Sequence, residues 1–157
     1  MIATIQYPAA LQVSRLIHAP RERVFAAWTT AADILKWFGP DTCHVQSAEI
    51  HPHPGGEYRL RLSGENSGEL ELHGLFREVR RPRRLVFTWN WSGNPALEFG
   101  VSVVTVEFLE QGGATEVRIR HDRLPSDKLL EDHRHGWSGC LDKLERLLSE
   151  GDPAHSI

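Results

Sequence analysis

The sequence predicts an α+β protein in which one long antiparallel sheet is covered on one face by a C-terminal helix. Three features indicate this class. Apolar residues recur with a period of two across residues 43–122, turns of hairpin length interrupt that pattern, and residues 126–149 repeat with the period of a helix. Because no crossover helix is predicted between the strand candidates, we expect neighbouring strands to run antiparallel.

The first predicted elements are one strand and two short helices. Residues 11–18 are rich in branched side chains and stop just before Pro20, which is typical of a strand. Val24, Phe25 and Trp28 recur at three- and four-residue steps, which predicts a short helix at and after Pro20. The next segment, TTAADILKWFGP, predicts a second short helix that stops at its glycine and proline.

The middle of the chain predicts six further strands, and one hairpin tests the pattern. Pairing Arg61 with Glu69 or with Glu71 puts leucines together on one face and arginine beside glutamate on the other, whereas a slip of one residue mixes the two sets. We therefore expect about seven strands with one dry face that is rich in large aromatic side chains. The six strand candidates are residues 43–50, 56–63, 69–79, 84–91, 101–110 and 114–122.

The last predicted element is a helix over residues 126–149, with Ser126 as its N-terminal cap. We expect this helix to lie across the dry face of the sheet, because nothing else in the chain is predicted to cover it. Its apolar stripe consists of Leu130, His133, Trp137, Cys140, Leu141, Leu144 and Leu148.

The stretch HRHGWSGC within this helix resembles a reaction centre only out of context. Histidines two residues apart on a helix face nearly opposite ways, so His133 and His135 cannot bind one metal ion. Cys140 lies two turns from His133, roughly 10.5 Å along the axis, which is too far for a nucleophile and its base. We expect His133 to be a core histidine or a ligand contact, and Gly136 and Gly139 to mark a close approach of backbone or ligand.

Other candidate metal and redox sites are weak. His51 and His53 in HPHPGG share a side of an extended segment, but a third ligand is missing and a surface turn is favoured. Cys43 and Cys140 are far apart without a CxxC pair, which indicates buried apolar residues rather than a zinc site or a disulfide. The sequence therefore predicts no metal site and no cofactor.

Length, charge and hydropathy restrict the function further. The 157 residues suit one domain with a core over residues 11–149 and flexible termini. The formal net charge of -3 and the lack of a basic stripe weigh against nucleic-acid binding, because RRPRR is the only dense basic run. Without a leader or a long apolar run, we expect no membrane insertion and a cytoplasmic location.

Five segments together match a known family: IHAPRERVFAAWTTAADILKWFGP, PGGEYRLRL, LHGLFREVRRPRRLVFTW, VTVEFLEQGGATEVRIRH and HGWSGCLDKLERLL. On these segments, residues 11–149 resemble the START-like (SRPBCC) superfamily, and within it the branch related to the activator of the 90-kDa heat-shock protein ATPase. The resemblance implies the helix-grip fold, in which a curved antiparallel sheet encloses a hydrophobic cavity with the C-terminal helix across its concave face. It implies no shared catalytic motif.

Members of that superfamily bind lipids, polyketides or other hydrophobic molecules, and some are cyclases or hydrolases. We therefore expect a hydrophobic small molecule to bind between the sheet and the C-terminal helix, with Trp37 and Phe38 near the entrance. The predicted ligand-binding residues are Trp37, Phe38, Tyr58, Leu60, Leu72, Phe76, Phe87, Trp89, Trp91, Val104, His121, His133 and Trp137.

Three alternatives stay open. The rings could simply fill a solid core, because aromatic residues at strand spacing are more often core than pocket. The protein could be a cyclase or hydrolase that uses His121 as its acid–base residue, with His133 across from it. It could instead be a chaperone-cofactor-like interaction protein, although the eukaryotic activator carries a separate N-terminal domain that is not matched here, and sheet edges could pair in a homodimer.

Overall fold

A computed structural model describes residues 7–40, 42–65 and 68–150. The expected flexible termini fall largely on residues 1–6 and 151–157, which lie outside the described residues. A single turn of 3-10 helix, Pro95–Leu97, interrupts the connection between the fifth and sixth strands. The described elements are β1 (Leu11–Ile17), α1 (Arg21–Thr29), α2 (Ala31–Trp37), β2 (Cys43–Ile50), β3 (Glu57–Gly64), β4 (Gly68–Arg80), β5 (Arg84–Ser92), β6 (Ser102–Gln111), β7 (Ala114–Asp122) and α3 (Asp127–Glu150).

The seven strands form one antiparallel sheet in the order β1-β7-β6-β5-β4-β3-β2. The α+β helix-grip prediction is confirmed, with strand and helix ends within one residue of those expected. The sheet curls into a half-barrel, and β-bulges in β2, between Val45 and Ser47, and in β4, between Phe76 and Glu78, contribute to that curvature.

The register between β3 and β4 is one of the two that were predicted. Arg61 pairs with Glu71 on the outer face, while Leu60 pairs with Leu72 on the inner face. Leu60 and Leu72 are buried, whereas Arg61 is exposed. The alternation of leucine with charged residues therefore sets which face of the sheet becomes the core.

The core on the concave face is covered by all three helices. The expectation that α3 alone covers this face is wrong, because α1 and α2 also bury large side chains against it. Phe25 of α1 lies 5.2 Å from Phe108 of β6, measured between ring centroids, and Trp28 stacks on Trp137 at 5.8 Å. Each short helix hides its few apolar residues on one side, which is enough to cover part of the sheet.

Helix α3 is fastened mainly through its second half. Arg15 of β1 donates to Asp142 at 2.8 Å and to Glu145 at 2.9 Å. Lys143 donates to the backbone carbonyls of Pro40 and Cys43, at 3.0 and 2.9 Å, and so ties α3 to the connection between α2 and β2. The predicted apolar stripe is buried except for Leu130, which is half-buried.

The first turn of α3 carries the predicted cap. The backbone N–H of Leu129 donates to the hydroxyl oxygen of Ser126 at 3.2 Å, which satisfies one of the free donors at the start of a helix.

Among the described residues, none of the helices is both long and apolar enough to cross a lipid bilayer.

Candidate functional site

A cavity of about 680 Å³ lies between the first half of α3, the end of β5, the connection from α2 to β2, and the 3-10 turn after β5. Its wall is mostly apolar, with polar side chains at the solvent side. The lining residues are Phe38, Pro40, Thr42, Cys43, Leu70, Trp89, Trp91, Asn94, Ala96, Leu97, Ser126, Lys128, Leu129, Asp132, His133, Gly136, Trp137 and Cys140.

The inner wall of the cavity is aromatic. Trp89 lies 5.0 Å from Trp137 and 5.5 Å from Trp91, measured between ring centroids, and Phe38 lies 6.0 Å from Trp89. These distances are typical of edge-to-face and tilted ring pairs. The rings therefore pack against one another and also line the cavity.

Gly136 provides part of the space on the helix side. A Cβ atom added to this glycine would meet nothing within 4 Å, and the residue lines the cavity. The expectation that backbone comes close at Gly136 is therefore wrong, whereas a close ligand stays a prediction. Gly139 is buried in the same helix.

Behind the aromatic wall, His121 is held by a chain of hydrogen bonds. The indole Nε1–H of Trp137 donates to Nδ1 of His121 at 3.1 Å, and Nε2 of His121 lies 2.8 Å from the hydroxyl of Ser102. An indole can only donate, so Nδ1 must be the acceptor and Nε2 carries the proton. The hydroxyl of Ser102 in turn donates to the carbonyl oxygen of Trp89, at 3.3 Å. His121 is thus a neutral imidazole with both nitrogens engaged.

His133 lines the cavity in the opposite tautomer. Its Nε2 accepts from the indole N–H of Trp91 at 3.1 Å, so the proton sits on Nδ1, which donates to the carbonyl of Leu129 at 2.7 Å. The rings of His133 and His121 meet edge to face at 5.2 Å. The wall of the cavity therefore carries an uncharged histidine.

Burial keeps both histidines neutral. It lowers the pKa of His121 well below the usual value for histidine, and the nearby His133 lowers that pKa further. Burial also lowers the pKa of His133, against the opposing effects of the Leu129 carbonyl and the Asp132 carboxylate. The charges at the cavity sit instead at its solvent side, where Lys128 and Asp132 form an exposed ion pair at 3.1 Å.

The predicted ligand-binding residues divide into three groups, and their role in binding stays a prediction. Five of them line the cavity, and we call this region the open end: Phe38, Trp89, Trp91, His133 and Trp137. Five others surround a void of only about 30 Å³, and we call this region the closed end: Tyr58, Leu60, Leu72, Phe76 and Phe87.

At the closed end the rings fill a core. Tyr58, Phe76 and Phe87 lie pairwise 5.6 to 5.9 Å apart between centroids. The hydroxyl of Tyr58 donates to the carbonyl of Thr88 at 2.5 Å, and burial raises the pKa of that hydroxyl well above its usual value. The alternative of a solid core therefore describes this half of the concave face.

The remaining three predicted residues line neither space. Trp37, expected near the entrance, is fully buried because its indole N–H donates to the carbonyl of Ala27 at 2.9 Å and its ring packs against Trp28. Val104 is fully buried in β6. His121 is also fully buried and separated from the cavity by Trp137, so it is not placed to exchange protons with a bound molecule.

Several lining residues were missed or misinterpreted in the sequence. Cys43 and Cys140 are buried, as predicted, but both also line the cavity. Residues 92–100, SGNPALEFG, form one of the connections that the sequence predicts as turns of hairpin length. Leu97 in this connection lines the cavity, and Phe99 contacts His133 with ring centroids 5.9 Å apart. A nine-residue connection with apolar side chains is longer than most hairpin loops, which is a usable signal.

The HPHPGG segment forms the predicted surface turn. His51 and His53 are exposed, and Nε2 of His51 lies 3.3 Å from a carboxylate oxygen of Glu49. Gly56 is required there, because a Cβ atom would lie 2.0 Å from the carbonyl oxygen of His51. Across the described part of the chain, no three His, Cys, Asp or Glu side chains are arranged to bind a metal ion.

Comparison with known proteins agrees with this architecture. The family model described as Activator of Hsp90 ATPase homolog 1-like protein matches residues 18–149. The crystal structure of the AHSA1 protein from Silicibacter pomeroyi superimposes with a TM-score of 0.78 at 25% identity, covering 90% of this chain and 98% of that one. No curated protein matches the sequence significantly.

Two further solved structures share the fold. A protein from Arthrobacter aurescens, solved by solution NMR, matches with a TM-score of 0.79 at 20% identity, covering 95% of this chain and 93% of that chain. CalU16 from Micromonospora echinospora matches with a TM-score of 0.65 at 23% identity, covering 90% of this chain and 76% of that chain.

Proposed function

Since this chain belongs to the Activator of Hsp90 ATPase homolog 1-like family of the START-like superfamily, we propose that it binds a hydrophobic small molecule of the lipid, polyketide or aromatic class. The observation that carries the proposal is the open end. Its cavity of about 680 Å³ is lined mostly by apolar and aromatic side chains. That volume lies within the roughly 300–1,000 Å³ of small-molecule sites in proteins.

The charge distribution at the open end supports an apolar ligand. His133 is neutral, with both ring nitrogens engaged, and Lys128 and Asp132 pair with each other at the solvent side. An ionised group deep in the cavity would lose its hydration without a partner charge, which costs several kcal/mol. The ligand should therefore keep any charge at the solvent side, within reach of Lys128.

Cytoplasmic location and a homodimer formed through sheet edges stay predictions. The edges of the sheet are β1 and β2. Helix α3 packs beside β1 and helix α2 beside β2. A homodimer of this kind would pair β1 or β2 with an edge strand of a second copy.

A titration with a matched pair of variants tests the proposal. Purified protein is titrated with a panel of fatty acids and flavonoids while tryptophan fluorescence is recorded, because Trp89, Trp91 and Trp137 all line the cavity. Gly136→Leu places a leucine in the cavity, whereas the control Ser138→Leu places the same side chain on the exposed face of the same helix. Leucine is a better helix former than glycine, so lost binding is not explained by unfolding.

The expected result is saturable binding of at least one panel member by the wild type and by Ser138→Leu, with affinity lost or reduced at least about tenfold in Gly136→Leu. The proposal would be contradicted if no apolar compound gave a saturable signal. It would also be contradicted if Gly136→Leu bound as well as the wild type.

A further inference from the structure

Two indole N–H groups in the core have no hydrogen-bond partner among the described residues. They belong to Trp28 of α1 and Trp89 of β5, each of which is only 4% exposed. The indoles of Trp37, Trp91 and Trp137, in contrast, all donate to a protein atom. Leaving a buried donor unsatisfied costs roughly 1–3 kcal/mol, so two in one core require an explanation.

Both unpartnered tryptophans line the void at the closed end. That void measures about 30 Å³, and Trp89 also lines the adjoining cavity. Tyr58 provides the only other polar side chain in the lining, and its hydroxyl already donates to the carbonyl of Thr88. Two of the residues around the void thus carry an indole N–H without a partner, and the lining contains no carboxylate and no cationic side chain.

We propose that this void is a subsite for a neutral carbonyl oxygen of the ligand, held by the indole N–H groups of Trp28 and Trp89. This inference rests on the proposed function, since the rest of the ligand occupies the open end. A carbonyl oxygen has two lone pairs, which match two donors. A space of about 30 Å³ fits a carbonyl group but not a ring, and a carboxylate would lack a counter-charge.

Phe38 borders both the proposed subsite and the cavity. It lines both spaces together with Trp89, at the C-terminal end of α2. The residue that follows, Gly39, has a φ of +102°, a conformation that glycine adopts without strain. The proposal requires the Phe38 side chain to rotate so that the two spaces join.

The test uses two probes of nearly equal shape. 2-Acetylnaphthalene carries a ketone where 2-isopropenylnaphthalene carries a CH₂ group, and 2-naphthoate carries a carboxylate. Binding is measured with the wild type, with Trp89→Phe, which keeps a ring but removes the N–H group, and with the control Trp91→Phe. Trp91 also lines the cavity, but its N–H already donates to His133.

The ketone should bind the wild type about threefold to tenfold more tightly than the alkene, as expected for added hydrogen bonds. Naphthoate should bind no more tightly than the alkene. The preference for the ketone should disappear in Trp89→Phe and persist in Trp91→Phe. Equal affinity of the ketone and the alkene for the wild type would overturn the subsite alone, whereas failure of every apolar compound to bind would overturn the proposed function.

A second measurement does not depend on the variants folding. In a ¹⁵N-labelled wild-type protein saturated with the ketone, the indole N–H resonances of Trp28 and Trp89 should move downfield, while those with protein partners should move less. The alkene should produce no such downfield shift. If the same two resonances show exchange or cross-peaks with water and do not respond to the ketone, the acceptor is water and the subsite is overturned.

Discussion

Aromatic residues form a packed core at the closed end of the concave face, whereas at the open end they line a cavity. At the closed end Tyr58, Phe76 and Phe87 pack around about 30 Å³ of space, while at the open end Trp91 and Trp137 border about 680 Å³. Strand β5 contributes to both ends, because Phe87 and Trp91 are four residues apart on its buried face.

The difference arises from the elements that lie over the strands. Trp28 and Ile34, from α1 and α2, fill the space above the closed end. The first half of α3 lies over the open end. Its Gly136 lines the cavity, and a Cβ atom at this position would meet nothing within 4 Å. An aromatic strand face therefore becomes core or cavity according to the size of the side chains that the covering helix presents.

The largest expected effect compares two leucines of β4. Leu72→Ala should lower the free energy of unfolding by about 4 kcal/mol, because Leu72 is fully buried at the closed end. Leu70→Ala should cost about 2 kcal/mol, because Leu70 already borders the cavity and its side chain has fewer packing contacts to lose. Urea denaturation of both variants measures the difference. Equal losses of unfolding free energy would contradict the description of a packed closed end and an open end with a cavity.

A tight position lies beside the closed end at Gly74. A Cβ atom there would lie 2.1 Å from the carbonyl oxygen of Thr88, which also accepts the Tyr58 hydroxyl. Gly74→Ala should therefore destabilise the protein by roughly 3 kcal/mol, because strand backbone has to move. Thermal unfolding followed by circular dichroism would show it, and a melting temperature within a degree of the wild type would contradict the described packing.

The two buried histidines, His133 at the open end and His121 behind it, should make the protein sensitive to acid. The unfolded chain takes up protons on His121 and His133 near pH 6.5, whereas burial lowers both pKa values in the native state. The stability they contribute is complete above about pH 6.5 and is lost as pH falls towards the folded pKa values. Each histidine can contribute at most about 1.4 kcal/mol per pH unit to this slope.

The variant that tests this pH effect is His133→Gln, in which the slope of the unfolding free energy between about pH 7 and 5 should be smaller than in the wild type. Denaturant titrations at several pH values measure it. In the wild type, protonation of His133 also turns Nε2 into a donor, so Trp91 loses its acceptor. A slope equal to that of the wild type would show that His133 does not contribute.

The smallest effect is a gain in stability at Gly136. Gly136→Ala should raise the free energy of unfolding by about 0.5–1 kcal/mol, because alanine favours the helix and its Cβ would meet nothing within 4 Å. Chemical denaturation against the wild type measures the gain. A loss of stability would indicate that atoms come close to this glycine and that the cavity is smaller than described.

Much of the fold could be predicted because strand parity is a local property. The alternation in β3 and β4 was enough to restrict the partner of Arg61 to Glu69 or Glu71, of which the structure has Glu71, and to assign the dry face. The helical period placed the HRHGWSGC stretch inside α3, where His133 is buried and His135 is exposed. These predictions needed only the periods of two and 3.6 residues and the charges of neighbours.

The division of the dry face into two ends could not be predicted in the same way. Parity placed His121 inside correctly, but the hydrogen bond that hides it behind Trp137 joins residues from β7 and α3. Trp37 was expected near the entrance together with Phe38, yet its indole N–H donates to the carbonyl of Ala27 and its ring lies in the core. Such contacts depend on how helices sit on the sheet and on side-chain rotamers.

The most direct test of the central claim is the location of xenon in crystals of the protein held under xenon pressure. Apolar cavities in proteins bind xenon, whereas packed cores do not admit it. We predict anomalous peaks between Gly136 and Trp91 at the open end and none among Tyr58, Phe76 and Phe87. Xenon within the closed end, or its absence from the open end, would contradict the account.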